Sequence, residues 1–228
     1  MNATSNRPNQ ERLVQVPAGT ATLEGDLVVP EDARGVVLFA HGSGSSRHSP
    51  RNRYVAGVLQ AAGLATLLID LLTASEEAVD LRTRHLRFDI GLLAERLVGA
   101  MEWLAQEPGT RGLKIGLFGA STGGGAALVA AAQRPELAGA VVSRGGRPDL
   151  AGPALPQVQA PTLLIVGSLD TVVIEMNQQA LAQLRCERDL HLVPGATHLF
   201  EEPGTLEAVA QLARDWFLRH LPPPTAEP

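Results

Sequence analysis

The sequence predicts an α/β domain whose central sheet is mostly parallel, has about eight strands and is covered by helices on both faces. Short apolar runs alternate along the chain with segments of helical periodicity, which is typical of such a sheet. The chain has 228 residues, of which 45% are hydrophobic and 19% charged, so it is long enough to bury a full core. Neither an internal repeat nor a long low-complexity block interrupts the alternation.

The strands are predicted from the apolar runs. Residues 12–16 and 20–30 are expected to form a hairpin at one edge of the sheet, around the turn residues Pro17 to Gly19. The remaining six strands are too apolar to lie with one face in water, which indicates burial on both faces. They are predicted at residues 35–40, 65–69, 113–118, 139–143, 162–166 and 189–193.

The clearest helix places its apolar residues at a spacing of three or four. These residues are Ile90, Leu93, Leu97, Met101 and Leu104, and the helix is expected to end near residues 107–109. Other helices are predicted near residues 52–62, 126–132, 172–184 and 206–220. Residues 73–88 are polar and are expected to form the longest irregular connection. Together with residues 144–156 they are the only segments available to roof a site, so a minimal lid is expected.

Residues 12–221 are expected to form a single domain, flanked by a flexible polar tail at residues 1–11 and a disordered tail at residues 222–228. The formal net charge of −5 argues against a nucleic-acid or membrane-surface binder. The polar start lacks the apolar core of a signal peptide, and no apolar run approaches the length of a membrane span. These features predict a cytoplasmic protein.

The sequence Gly119-Ala-Ser-Thr-Gly123 joins an apolar, strand-like run to a helix rich in small residues. This arrangement is typical of a nucleophile elbow, in which a serine occupies a strained turn and projects above the sheet. The two glycines leave room for the close approach of strand and helix. Ser121 is therefore the candidate nucleophile, and the start of the following helix offers free N–H groups to a developing oxyanion.

Three other predicted strands are followed by residues suited to the same chemistry. The strand at 35–40 leads into His41-Gly-Ser-Gly44, the strand at 162–166 is followed by Asp170, and the strand at 189–193 is followed by His198. Sites in parallel sheets form beyond the carboxyl ends of the strands. The chain order of serine, acid and histidine is the order expected when an elbow serine works with an acid and a histidine from later loops.

These motifs resemble those of the α/β-hydrolases, and more narrowly those of the dienelactone-hydrolase-related group of small bacterial hydrolases. The resemblance covers residues 12–221 and rests on the segments 39–44, 119–123, 165–170 and 195–198. It implies that Ser121 is the nucleophile, that His198 is the general base and then acid, and that Asp170 orients the imidazole. Dienelactone hydrolases proper carry cysteine at the elbow, so the serine here favours a serine esterase.

The oxyanion hole is expected to use the backbone N–H groups of Thr122 and Ser43, with the Thr122 hydroxyl as a further candidate. His41 is expected to hold this loop through hydrogen bonds to the backbone. The candidate substrate-binding residues are Gly42, Gly44 and Arg144. For Arg144, a salt bridge to Asp149 or Asp170 is the favoured alternative.

Several alternatives remain open at this point. Asp149, Glu201 or Glu202 could take the place of Asp170 as the acid. His191 alternates within a strand and His220 lies near the carboxyl terminus, so neither is a catalytic candidate. A cluster of basic residues is expected to be mostly a solvated helix start, with a substrate role as the alternative. Its members are Arg47, His48, Arg51 and Arg53.

The predicted function is hydrolysis of small carboxylic esters through an acyl-enzyme. Within the same mechanism the alternatives are lactone, thioester and aromatic ester substrates of the feruloyl or phthalate type, and a non-catalytic binding protein on the same fold is the alternative of another class. No sequence pattern for a metal or dinucleotide site is present, so no cofactor and no metal are expected. The only partner predicted is the small-molecule ester, and the oligomeric state is left open.

Overall fold

The computed structural model describes residues 10–223 and contains one eight-stranded sheet with helices on both faces. The predicted tails fall largely at residues 1–9 and 224–228, which lie outside the described residues. The strands are β1 (Arg12–Ala18), β2 (Ala21–Val28), β3 (Gly35–Ala40), β4 (Ala65–Ile69), β5 (Lys114–Ala120), β6 (Ala138–Arg144), β7 (Thr162–Gly167) and β8 (Arg188–Val193). The helices are α1 (Pro50–Ala61), α2 (Ala74–Thr83), α3 (Ile90–Leu104), α4 (Thr122–Gln133), α5 (Thr171–Gln183) and α6 (Thr205–His220).

The strand order is β1-β2-β4-β3-β5-β6-β7-β8. The pairs β1–β2 and β2–β4 are antiparallel, and every pair from β4 to β8 is parallel. The eight predicted strands are therefore confirmed, with shifts of a few residues at their ends. Because the parallel strands run in one direction, the loops that follow β3, β5, β7 and β8 meet at one edge of the sheet.

Two apolar clusters fill the space on either side of the sheet. One contains the buried faces of α3 and α4, and the other contains those of α1 and α6. Alternate residues of β3 belong to different clusters, since Val36 and Leu38 face the first and Val37 and Phe39 face the second. This alternation explains why the central strands read as continuous apolar runs.

The segment 73–88 is not irregular, and this prediction was wrong. It contains α2 and a short 3-10 helix at Leu86–Phe88. The helix begins with a capping box, in which the Thr73 hydroxyl accepts a hydrogen bond from the Glu76 amide and the Glu76 carboxylate accepts one from the Thr73 amide. These two bonds satisfy amide groups that a helix start otherwise leaves free. Because the outer face of α2 is polar and its one buried residue is charged, the sequence lacks the apolar periodicity from which a helix is predicted.

The end of α2 is fixed by one buried carboxylate. The side chain of Asp80 is 1% exposed and accepts hydrogen bonds from the backbone amides of Leu86 and Arg87 and from Nε of Arg87, at 2.5 Å for the last. Hydrogen bonds from Arg87 hold the pKa of this carboxyl below its usual range against the opposing effect of desolvation. The segment over the site is therefore an ordered structure.

Candidate active site

Ser121 lies between β5 and α4 in the left-handed region of backbone conformation, with φ of 50° and ψ of −121°. A Cβ atom added at Gly119 would lie 2.5 Å from the Gly123 carbonyl oxygen, and one added at Gly123 would lie 2.3 Å from the carbonyl oxygen of Ala40. Both distances are too short for a carbon and an oxygen atom that are not bonded to each other. The turn therefore requires glycine on both sides of the serine, as a nucleophile elbow does.

Hydrogen bonds to the loop after β6 hold this strained turn. The Ser121 amide donates to the Arg144 carbonyl at 3.2 Å, and the Ser121 carbonyl accepts from the amides of Arg147 at 3.0 Å and Gly124 at 2.9 Å. Ser121 is partly exposed, and within residues 10–223 its hydrogen bonds are those of its backbone. Side chains at strained turns of this kind are common in active sites.

His198 and Asp170 contact each other directly. The Nδ1 atom of His198 lies 2.6 Å from Oδ2 of Asp170, a distance typical of a charge-assisted hydrogen bond. The Asp170 side chain is 15% exposed and the His198 side chain 39% exposed. The carboxylate accepts a hydrogen bond from Nδ1–H, so Nε2 is the ring nitrogen that remains available to a substrate or a nucleophile.

The turns that carry the acid and the histidine are bonded to each other. The amide of Ser168 donates to the Val193 carbonyl and the amide of Leu169 to the Ala196 carbonyl, both at 3.0 Å, and the Gly195 amide donates to the Ser168 hydroxyl at 2.8 Å. These bonds join the ends of β7 and β8 into one unit. The Asp170–His198 contact is therefore held by the backbone as well as by the side chains.

His198 lies beside the end of β6, the strand next to the one that leads into Ser121. A Cβ atom added at Gly145 would lie 3.6 Å from Cε1 of the His198 ring. Gly145 in turn lies between Arg144 and Arg147, whose backbones both bond to Ser121. The fold thus brings the serine and the histidine to the same stretch of the sheet edge.

The alternative acids make other contacts. Asp149 accepts two hydrogen bonds from Arg147, at 2.9 and 2.7 Å, and Glu201 pairs with Arg51 at 3.3 Å. Glu202 accepts from the hydroxyl and the amide of Thr197, and these hydrogen bonds lower the pKa of its carboxyl. Asp170 is the carboxylate that the structure places against the His198 ring.

His41 is held by the backbone on both ring nitrogens. Its Nδ1 donates to the Gly42 carbonyl at 2.9 Å, and its Nε2 accepts from the Leu71 amide at 3.1 Å. An amide can only donate and a carbonyl can only accept, so the ring is neutral with its proton on Nδ1. Burial lowers the pKa of His41 below its usual range, which agrees with the neutral form.

The loop held by His41 lies against Ser121. A Cβ atom added at Gly42 would lie 3.1 Å from Cβ of Ser121, and one added at Gly44 would lie 3.3 Å from Nη1 of Arg87. Ser43, between these glycines, is exposed. Thr122 is the first residue of α4, where the amide has no partner within the helix. Its hydroxyl is buried without a hydrogen-bond partner among the described residues.

The comparison with known families decides which group these features belong to. The sequence model of the dienelactone hydrolase family matches residues 24–221, which is most of the chain and includes the loops after β3, β5, β7 and β8. The chain belongs to the dienelactone hydrolase family. The resemblance inferred from the motifs is thereby confirmed, and the fold it implied is the one observed.

Solved structures of the α/β-hydrolase fold are similar to this family member. A dienelactone hydrolase from Anabaena variabilis is 69% identical, with a TM-score of 0.92, and the match covers 93% of this chain and 98% of that one. Est1E from Butyrivibrio proteoclasticus is 16% identical, with a TM-score of 0.75 and coverage of 91% and 98%, and this likeness shows the fold alone. The 69% identical structure thus carries the name of the same family whose sequence model matches this chain.

Two curated relatives from strains of Mycobacterium tuberculosis are longer. Each is 60% identical over 97% of this chain and bears the name "Putative phosphoribosyl transferase". The chain spans 49% of the length of each. Their name therefore describes proteins with about as much sequence outside the match as within it.

Arg144, a candidate substrate-binding residue of this dienelactone hydrolase family member, is 7% exposed. The predicted salt bridge to Asp149 or Asp170 was wrong, because those carboxylates pair with Arg147 and His198. The only hydrogen bond of the Arg144 side chain within the described part of the chain runs from Nη2 to Oδ1 of Asn52, at 3.4 Å. Burial, and then the charge of Arg51, lower the pKa of Arg144 to about 10, so it remains a cation at neutral pH.

Most of the basic cluster near α1 is solvated as predicted, since the side chains of His48, Arg51 and Arg53 are 62%, 33% and 39% exposed. Arg47 departs from this expectation. Its side chain is 13% exposed and forms ion pairs with Asp70, with Glu24 at 2.8 Å and with Asp26 at 3.5 Å. Because these acids come from β2 and from the end of β4, Arg47 fastens the loop before α1 to the sheet edge.

Residues 10–223 contain no group of three or more histidine, cysteine, aspartate or glutamate side chains that could hold a metal ion. None of the described helices is long and apolar enough to cross a membrane.

Proposed function

We propose that the chain is a serine carboxylesterase that hydrolyses small carboxylic esters through an acyl-enzyme on Ser121. The observation that carries the proposal is the hydrogen-bonded pair of Asp170 and His198 at 2.6 Å, at the same sheet edge as a serine with φ of 50°. A serine hydroxyl is a weak nucleophile at neutral pH and needs such a base. Membership of a hydrolase family supports the reaction class.

In this mechanism Oγ of Ser121 attacks the ester carbonyl while its proton passes to Nε2 of His198. The carbonyl oxygen becomes an oxyanion that accepts hydrogen bonds from the amides of Thr122 and Ser43, each worth roughly 3 kcal/mol when aligned. The alcohol then leaves with the proton from His198. Water repeats the sequence on the acyl-enzyme, with His198 again as base, and releases the acid. Asp170 holds the ring and stabilises its cation throughout.

The size of the substrate is proposed from what covers the site. The loop that follows β3, Leu71 and Leu72 after β4, Arg87 and Thr122 line a small cavity. The segments that could cover this edge are short, since α2 has 10 residues and the 3-10 helix at Pro148–Gln157 also has 10. A short cover and a small cavity favour compact acyl groups over long lipids.

Aromatic esters are the second candidate for the same mechanism. Est1E, which shares the fold, has also been solved with ferulic acid bound. Exposed apolar side chains stand next to the candidate acid and base, with Leu169 61% and Leu199 41% exposed. Such side chains could contact an aromatic ring at the mouth of the site.

The test is a set of initial hydrolysis rates on p-nitrophenyl acetate, butyrate and octanoate and on methyl ferulate. Wild type is compared with Ser121→Ala and with Ser43→Ala as the matched control, because the role proposed for Ser43 uses only its backbone amide. We expect rates to fall with acyl length, to vanish in Ser121→Ala and to persist in Ser43→Ala. Equal rates in wild type and Ser121→Ala would remove Ser121 from the mechanism.

Labelling by a fluorophosphonate separates an enzyme from a binding protein on the same fold. We expect rapid stoichiometric labelling of wild type, detected by mass spectrometry on the peptide that contains Ser121, and none of Ser121→Ala. A folded wild-type protein that is neither labelled nor active on any ester would favour the binding protein.

A further inference from the structure

Arg144 is a buried cation beside the candidate nucleophile. It ends β6, and its carbonyl accepts the hydrogen bond from the Ser121 amide. Its side chain has no carboxylate partner within residues 10–223, and Nε is buried without any partner. Proteins almost always pair a buried charge, because removing it from water costs free energy that only an opposite charge or several hydrogen bonds restore. The charge of Arg144 is therefore not balanced by any negative side chain bonded to it among the described residues.

The surroundings of Arg144 add positive charge. From α1 comes Arg51, which is close enough to disfavour the charged form of Arg144. From the loop after β8 comes Glu201, whose carboxylate is 65% exposed and bonds to Arg51. The nearby acids on other elements are engaged elsewhere, Asp170 with His198 and Asp149 with Arg147. Of these two guanidinium groups, that of Arg51 has one largely solvated carboxylate partner, and that of Arg144 has none among the described residues.

The start of α1 strengthens this field. Arg144 reaches its first turn, where Nη2 contacts Asn52, a residue that is 2% exposed. The helix has 12 residues and is capped by Ser49, whose side chain accepts from the Asn52 amide. Helix starts carry partial positive charge and attract anions, and here the charge rather than free amides contributes most, since Pro50 has no N–H and the amides of Asn52 and Arg53 bond to Ser49. The guanidinium and the helix start point to the same class of ligand for independent reasons.

Phe200 closes one side of the guanidinium. Its ring centroid lies 5.9 Å from Cζ of Arg144, and its backbone has a φ of 55°, which bulky residues rarely adopt. This strained residue lies two positions after His198, and its ring packs over the Arg144 guanidinium. The histidine loop and the arginine therefore form one wall of the site.

Ester atoms next to the reacting carbonyl lie within reach of this wall. Arg144 is the register partner of Ala120, the residue before the nucleophile, and neighbouring strands are about 5 Å apart. In a substrate bound at Ser121, the groups next to the reacting carbonyl therefore lie over the end of β6.

We propose that Arg144, together with the first turn of α1, binds an anionic group of the ester substrate, a carboxylate or a phosphate. The inference deepens the proposed esterase function and rests on it. A guanidinium presents two parallel N–H groups that match both anions, and a buried one gains most from them. Arg144 then acts as the specificity-determining residue of the site.

The test compares matched esters that differ by one charge. Mono-p-nitrophenyl succinate is paired with p-nitrophenyl butyrate for the acyl side, and the acetate ester of 4-hydroxybenzoate is paired with phenyl acetate for the alcohol side. In at least one pair we expect wild type to have the higher kcat/KM for the charged ester. Arg144→Gln should lower that preference roughly tenfold to a hundredfold, as loss of a charged hydrogen bond does.

Arg147→Gln is the matched control, because Arg147 lies three residues further along and its side chain pairs with Asp149 at the surface. It should keep the wild-type preference. Because Arg144→Gln removes an unpaired buried charge, we expect it to fold, which thermal unfolding checks, and Arg144→Lys provides a second variant that keeps the charge. The same charged-to-neutral ratio in wild type and Arg144→Gln, for both pairs, would overturn the subsite while leaving the serine esterase intact.

Competition separates the two anions. Inorganic phosphate and acetate are titrated against hydrolysis of the neutral esters by wild type and by Arg144→Gln. Competitive inhibition that Arg144→Gln weakens at least tenfold supports the subsite, and the anion with the lower inhibition constant identifies the group. Inhibition equal in both proteins would count against it. Loss of all ester hydrolysis in Ser121→Ala but not in Arg144→Gln keeps the two proposals distinct.

Discussion

The Nε2 atom of His41 accepts a hydrogen bond from the amide of Leu71 at 3.1 Å, and this bond joins the loop after β3 to the loop after β4. The ring can accept only while that nitrogen is unprotonated. The loop that carries Gly42 and Ser43 is therefore held by a neutral imidazole, and its stability depends on pH.

Replacement of His41 by glutamine should flatten the pH dependence of stability. Burial lowers the pKa of the folded ring below its ordinary value of about 6.5, so below that pH the unfolded chain binds more protons than the folded one. Wild type should lose stability as the pH falls from 7 to 5. The variant should lose less, by at most about 1.4 kcal/mol per pH unit, in urea unfolding at each pH.

His48→Gln is the control for this experiment, because His48 is exposed. It should follow the wild-type curve. An unchanged pH dependence in His41→Gln would show that the ring is not kept neutral by the fold.

Asp170→Asn should lower kcat by roughly 10⁴, because the amide can hold the imidazole in the wrong tautomer and cannot stabilise its cation. KM should change little, since the residue contacts His198 rather than the ester. Steady-state kinetics on p-nitrophenyl acetate provides the measurement. Asp149→Asn is the matched control. A loss of similar size in that variant would indicate that Asp149, the partner of Arg147, is the catalytic acid instead.

Gly123→Ala should prevent correct folding or abolish activity, since the added carbon would lie 2.3 Å from the Ala40 carbonyl oxygen. Gly57→Ala is a matched change in the exposed part of α1, where nothing lies within 4 Å. It should stabilise the protein by roughly 0.5–1 kcal/mol, as alanine does in a helix. Circular dichroism with thermal unfolding compares the two, and a folded, active Gly123→Ala enzyme would contradict the elbow geometry.

Thr122→Val should stabilise the protein by about 1 kcal/mol, because it removes a buried hydroxyl that has no partner in the described structure and keeps the shape of the side chain. The backbone amide proposed for the oxyanion hole is unchanged, so kcat/KM should stay within threefold. Chemical unfolding and ester kinetics on the same preparation test both statements. A hundredfold fall in kcat with unchanged stability would make the hydroxyl an oxyanion donor.

The strands were predictable because each is buried on both faces and is therefore apolar along its length. The helix α2 was missed because its outer residues are polar or exposed, with Leu81 65% exposed, and its one buried side chain is the charged Asp80. The pattern Thr73 to Glu76 was the available signal, since a threonine followed three residues later by glutamate is typical of a helix start.

The site was predictable to the level of which loops meet, because parallel strands bring their following residues to one edge. The partners of individual side chains were not. Arg144 ends β6 and Arg147 lies three residues later, yet Arg147 pairs with Asp149 and Arg144 turns towards α1. The partner of Arg147 is local, whereas the partner of Arg144 lies on a helix that is distant in the sequence and is known only from the packing of the fold. The role of the site residues stays a prediction until the variants are measured.

The hydrogen bond between Asp80 and Arg87 determines which part of the structure stands beside the route by which a ligand enters the site. A Cβ atom added at Gly44 would lie 3.3 Å from Nη1 of Arg87, so the segment that ends α2 packs against the loop of Gly42 and Ser43. An outward swing of α2 would remove this contact from the loop that we propose binds the oxyanion. If α2 stays in place during turnover, substrate enters through a permanent mouth, and no gate has to open and close.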